Sequence, residues 1–127
     1  MPSRESDWLR QADADLRHAR NAQEDGDFEW SCFADHQAAE KAVKAVYQAR
    51  HQDAWGHTVS ILLGSLPATA ADTALVEKAK VLDKHYVPTR YPNGFPSGAP
   101  TDFYTLTEAQ EAIRIAEEIV EFCRRQI

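Results

Sequence analysis

Arg90 stands between Pro88 and Pro92 in the stretch HYVPTRYPNGFPSGAP, residues 85 to 100, with Tyr86 and Tyr91 close by. A guanidinium on backbone that prolines have preset loses little entropy when it grips an anion, and its planar fork suits phosphate. Asp83 lies three residues before Tyr86, so the two side chains share a helix face. A lone carboxylate beside Leu82 is costly unless paired. Arg90 can therefore close a structural ion pair with Asp83, or it can be held for a phosphate between aromatic rings. The spacing leaves both readings open.

A second set of polar groups lies on one helical stripe: Gln37, Glu40, Lys41 and Lys44 follow at i, i+3, i+4 and i+7. This is either a solvated face with a Glu40–Lys44 pair or the polar wall of a cleft. Trp30 and Phe33 fall on the same stripe, where a monomer would expose two large rings, and they mark a homodimer interface. His57 follows Trp55 and Gly56 at the start of a short helix and reads first as a hydrogen-bonded core residue. His36 and Glu40 are one turn apart, but without a further clustered ligand they do not make a metal site. The sequence offers no Gly-rich phosphate loop, Ser–His–Asp arrangement or CxxC pair. Cys32 and Cys123 fall within helical patterns and read as small core residues, not a disulfide. No cofactor is expected.

Five helices must position these groups. The first, about Ser6 to Glu24, repeats Trp8, Ala12, Leu16 and Ala19 at threes and fours. Gly26 ends it and Asp27 is placed to cap the next. The second, about Phe28 to Arg50, is apolar around more than half its circumference (Cys32, Ala38, Ala39, Ala42, Val43, Val46, Tyr47). Such a helix belongs at the centre of a bundle. A short third helix runs from Gly56 or His57 to Leu66. The fourth starts near Asp72, carries Leu75, Ala79, Leu82 and Tyr86 on one face, and stops before Pro88. Residues 88–104 form a proline-rich loop. The fifth opens on TLTE, where Thr105 and Glu108 have capping-box spacing, and packs Leu106, Ala109, Ile113, Ala116, Val120 and Cys123. The expected fold class is all-α, an antiparallel up-and-down bundle of four long helices plus one short one, in a single domain of residues 1–127.

Bulk composition agrees. The chain has 127 residues, 43% hydrophobic and 27% charged, with a net charge of −6 and a pI near 5.3. An acidic balance argues against non-specific binding of DNA or RNA but leaves room for a local basic pocket. With no signal-like run and no membrane-length apolar stretch, a cytoplasmic location is expected.

FEWSCFADHQAAEKAVKAVYQ, AWGHTVSILL and LDKHYVPTRYPNG, taken in order, resemble the small stand-alone prokaryotic form of the HEPN domain over nearly the whole chain. The family is named from higher eukaryotes and prokaryotes. The resemblance implies an up-and-down helical bundle related to the C-terminal domain of kanamycin nucleotidyltransferase. It also implies a binding module for a nucleotide or substrate, acting with a minimal nucleotidyltransferase as a toxin–antitoxin type pair. On that reading Gln37, Lys41, His57, Asp83, Tyr86, Arg90 and Tyr91 line a shared cleft. Other family members are dimeric, metal-independent ribonucleases that carry an arginine followed after four to six residues by a histidine. Arg90 has no histidine after it, and the one match here is Arg50 to His57. Ribonuclease activity through Arg50 and His57 is therefore the alternative, and a structural dimer with a degenerate pocket is the third reading.

Overall fold

The computed structural model describes residues 3–66 and 73–127. Its helices are α1 (Glu5–Glu24), α2 (Phe28–Ala49), α3 (Val59–Gly64), α4 (Thr73–Asp83), α5 (Pro100–Phe103) and α6 (Leu106–Arg125), with one 3-10 turn at Pro92–Gly94. Among the described residues there is no strand. The expected all-α bundle is present, its long members being α1, α2, α4 and α6. The expected cap at Asp72 lies outside the described residues.

The α1–α2 connection is as tight as the sequence allows. Gly26 takes a φ of 84°, in the left-handed region that favours glycine. The amide of Asp27 then turns back to the carbonyl of Ala22 at 2.8 Å. Asp27 holds the N-cap position of α2, but its side chain makes no capping bond, contrary to expectation. Small side chains let helices approach closely: Ala12 and Ala19 of α1 and Ala38, Ala39 and Ala42 of α2 are all fully buried. A hydrogen bond from Ser31 Oγ to the Ala19 carbonyl, at 2.8 Å, crosses the same seam.

At the other end, the Thr105–Glu108 box forms as the spacing predicted. Glu108 N donates to Thr105 Oγ1 at 3.2 Å and Thr105 N donates to Glu108 Oε1 at 3.1 Å. The buried face of α6 is rotated from the one read in sequence. Leu106 is exposed and Ile113 only partly buried, whereas Ala112, Ile115, Ile119 and Phe122 join Ala109, Ala116, Val120 and Cys123 in the core. Both thiols are free and buried.

Two elements depart from their predicted lengths. The third helix begins at Val59, because Gly56 takes a φ of 95° and holds residues 56–58 out of helix. α4 ends at Asp83, well before Pro88. Beyond that point proline removes a backbone donor, and the carbonyls it strands find other partners. Thr89 Oγ1 donates to the His85 carbonyl at 2.7 Å, and the Arg90 amide donates to the Val87 carbonyl at 3.1 Å. The Tyr86 carbonyl receives the side chain of Arg90 itself.

The proline-rich loop is more structured than a linker. Phe95 and Phe103 stack at 4.6 Å with an interplanar angle of 11°. Gly98 makes room for them: its φ is 83°, and a Cβ there would lie 2.9 Å from Phe103 Cε2. Gly98→Ala is expected to destabilise the fold by about 1–3 kcal/mol, through backbone strain and a displaced Phe103. Urea denaturation measures this; a variant as stable as the parent would mean that the loop repacks freely.

Candidate functional site

The turn after α4 lays Arg90 across an aromatic seat. Its Nε and Nη2 both donate to the Tyr86 carbonyl, at 2.9 and 2.7 Å. Its Cζ stands 4.3 Å from the centroid of Phe33, 4.8 Å from that of Tyr86 and 5.1 Å from that of Tyr91. Each ring face attracts the cation electrostatically. Among the described residues no carboxylate reaches ion-pair distance of Arg90.

Asp83 does not pair with Arg90. It accepts from the Ser60 amide at 3.2 Å and from Ser60 Oγ at 2.5 Å, tying the end of α4 to the start of α3. The ion-pair reading is thereby corrected. Ser60 offers two donors to a carboxylate in a half-buried position, and hydrogen bonds to an ionised acceptor of this kind are strong.

Tyr86 connects Arg90 to the rest of the site. Its ring stacks on His57 at 4.7 Å and 16°, and also meets His36 at 4.9 Å and Phe33 at 6.2 Å. His57 Nδ1 lies 3.0 Å from Glu40 Oε1, while the other Glu40 oxygen takes Lys44 Nζ at 3.2 Å. Glu40 is only 5% exposed. The stripe of α2 is therefore no solvated face, and its carboxylate is a buried anchor for two cationic or donor groups. With Nδ1 turned to Glu40, His57 directs Nε2 elsewhere, and its side chain is 53% exposed. His57 is hydrogen-bonded, as expected, but is not a core residue.

His36 supports this from beneath. It is fully buried, and Nε2 donates to the His57 carbonyl at 2.8 Å. Burial lowers its pKa, and Nδ1 lies 3.1 Å from Gln37 Oε1. With both nitrogens engaged, His36 is not poised for a metal. No group of three or more His, Cys, Asp or Glu side chains among the described residues could hold one.

The other expected residues are placed as follows. Gln37 is in the network through His36. Lys41 is drawn away to α1, where Nζ meets Asp15 Oδ2 at 2.6 Å, so it is not gathered with Arg90. Arg50 ends α2, where its charge acts on the Tyr47 hydroxyl, while the ring of His57 is held by Glu40 and Tyr86. Trp30 meets Phe33 edge-on at 6.1 Å and stays 49% exposed. Phe33, read as an interface residue, seats Arg90 within the chain. Sequence reasoning also missed Glu40 and His36 as supports. The signal was present: Phe33, His36 and Glu40 recur at i, i+3 and i+7 on one face.

The site is a shallow surface, not a cavity. A groove of about 670 Å³ between α4 and α6, lined by Leu75, Lys78, Glu118 and Phe122 among others, contains none of these residues. Lys78 and Glu118 pair with each other across that groove at 3.0 Å. The Arg90 surface is the stronger candidate because it offers a preorganised cation with no anionic partner among the described residues.

The HEPN domain model fits residues 5–126, a span that includes the α2 face and the turn after α4. The chain belongs to the HEPN domain family. Three solved structures are similar to this HEPN chain throughout. A protein of Thermus thermophilus is 46% identical, with a TM-score of 0.96, covering 99% of this chain and all of its own (100%). An archaeal HEPN homologue is 37% identical, with a TM-score of 0.82 and coverage of 99% and 98%. A HEPN domain protein from Thermotoga maritima is 38% identical, with a TM-score of 0.76 and coverage of 93% and 94%. No curated protein is a significant match. Among the described residues no helix of this HEPN domain is long and apolar enough to cross a membrane.

Proposed function

We propose that this HEPN domain is a binding module for a nucleotide or another phosphate-bearing ligand, acting beside a minimal nucleotidyltransferase in a toxin–antitoxin type pair. One observation carries the reading: Arg90 is oriented by a carbonyl and three rings, yet among the described residues no carboxylate neutralises it. A fixed guanidinium suits a phosphate, with Tyr91 and Trp30 each 49% exposed to meet an aromatic base. His57 and Gln37 complete the surface; Asp83 and Lys41 are committed elsewhere. Isothermal titration of the purified protein with ATP, AMP and inorganic triphosphate tests it. Binding by at least one is expected, and silence from all three would sink the proposal.

The second reading, a metal-independent ribonuclease, draws on the Glu40–His57 contact, which orients an exposed imidazole as a general base requires. Its arginine would then be Arg90, not Arg50, since Arg90 shares the Tyr86 ring with His57. Cleavage of a single-stranded RNA in the presence of chelator, abolished by His57→Ala, would favour this reading over simple binding.

The exposed Trp30 beside Phe33 supports a homodimer. Sedimentation at tens of micromolar is expected to give twice the monomer mass. A Trp30→Glu variant that sediments like the parent would remove Trp30 from the interface.

A further inference from the structure

Asp35 is the anomaly of the core. It points into the bundle from α2 with 0% of its surface exposed, and among the described residues neither carboxylate oxygen has a hydrogen-bond partner. Buried polar groups almost always find partners, so an orphan of this kind calls for an explanation. An ionised carboxylate so placed would be uncompensated and severely destabilising. A protonated one is a modest burden.

The charged groups that act on it come from all three helices of the seam. α1 contributes Arg20, whose field favours ionisation, and α6 contributes Glu117, whose field opposes it. On α2 itself, Cys32 lies one turn away, its thiol pushed up by burial first and by Asp35 next; Glu108 and Glu111 of α6 and Glu29 of α2 act on that thiol too. Arg20 and Glu117 meet each other at 3.4 Å, and both are about half exposed (49% and 47%). Such a surface pair is weak and easily exchanged. Among the described residues Arg20 is thus the cation that acts on Asp35, and it is held by a partner that competes poorly with a buried anion.

We propose that Asp35 is a proton-operated switch in the α1–α2–α6 seam: in its acid form Arg20 rests on Glu117, and on ionisation Arg20 leaves Glu117 for Asp35, re-seating α1 against α6. Burial, reinforced by Glu117, raises the carboxyl from 3.8 to about 8, so the change of state falls near neutral pH. The sign follows from which state binds the proton. Between those two values the folded chain keeps a proton that the unfolded chain has lost, so rising pH favours unfolding, by about tenfold in the equilibrium constant per pH unit. Below 3.8 the contribution is complete, and above 8 it is gone. The switch sits one residue from His36, which holds the backbone of the candidate ligand site on its other side.

The experiment follows the Asp35 side-chain carboxyl carbon by NMR across pH, together with urea unfolding of the parent and of Asp35→Asn at each pH. In the parent the carboxyl is expected to titrate above pH 7. Relative to Asp35→Asn, the parent should lose stability steadily as pH rises toward 8 and no further beyond it. Buried His36 and His85, which titrate in the opposite sense, are present in both proteins and drop out of the difference. Arg20→Gln should move the Asp35 titration up, and Glu117→Gln, which frees Arg20, should move it down. An Asp35 that titrates in the ordinary carboxylate range overturns the switch, as do parallel stability curves. A titration indifferent to Arg20→Gln overturns the exchange. Should Asp35→Asn fail to fold, the carboxyl titrations in the parent, Arg20→Gln and Glu117→Gln decide.

Discussion

Arg90→Ala is expected to weaken ATP binding by about thirty-fold, or about 2 kcal/mol, because a charge-assisted and geometrically fixed contact disappears. Folding should suffer less. The mutation leaves the Tyr86 carbonyl without its two donors and uncovers Phe33, a loss of about 1–2 kcal/mol for one half-buried acceptor and a cation–π contact. Arg90→Lys separates the two roles. An ammonium can satisfy the carbonyl or reach a phosphate, but it has no planar fork with which to do both. Stability should therefore recover more than affinity. Titration calorimetry and urea denaturation on the same preparations give the two numbers. A lysine variant that binds as tightly as the parent would show that charge alone matters and that the aromatic seat is structural.

The second large effect falls on Glu40. Removing it in Glu40→Ala strands Lys44, whose side chain is 13% exposed, and releases His57 from its orienting contact. Breaking a buried pair on one side costs about 3–5 kcal/mol, and partial access of Lys44 to water puts the expectation near 3. The double variant Glu40→Ala with Lys44→Met should be the more stable of the two, since the unpaired cation is then gone. If the double variant is worse than the sum of the single ones, Glu40 is not the anchor described above.

Much of the fold was legible because its signals are local. The i, i+4, i+7 spacing of Ala12, Leu16 and Ala19, the Gly26 break and the Thr105–Glu108 box all act within a few residues. The face of α6 was misjudged by part of a turn, because Ile113 and Ile115 are equally apolar and only the packing against α2 and α4 chooses between them. The site was legible in its members but not in its pairings. Asp83 and Arg90 were correctly placed near each other along the chain. However, Ser60, 23 residues before Asp83, holds the carboxylate, and Phe33, on another helix, holds the cation. Nothing in the spacing around residue 90 encodes either partner. Glu40 stayed open between two readings for a related reason: its contact with His57 depends on a loop that approaches α2 only in the folded chain.

The way Tyr86 joins three distant segments has a consequence for when activity can arise. α1 and α2 can pair as soon as both have been synthesised, since their contacts span a short loop. The proposed ligand surface needs residues 33–40, His57 and 86–91 to meet at one ring, so it closes only after the turn beyond α4 has emerged and docked. Such non-local closure comes late in folding. A nascent or C-terminally truncated chain that stops before Tyr86 would already hold its first hairpin yet be blind to ligand. Recognition of the kind proposed above would therefore also be a report that most of the chain has been made.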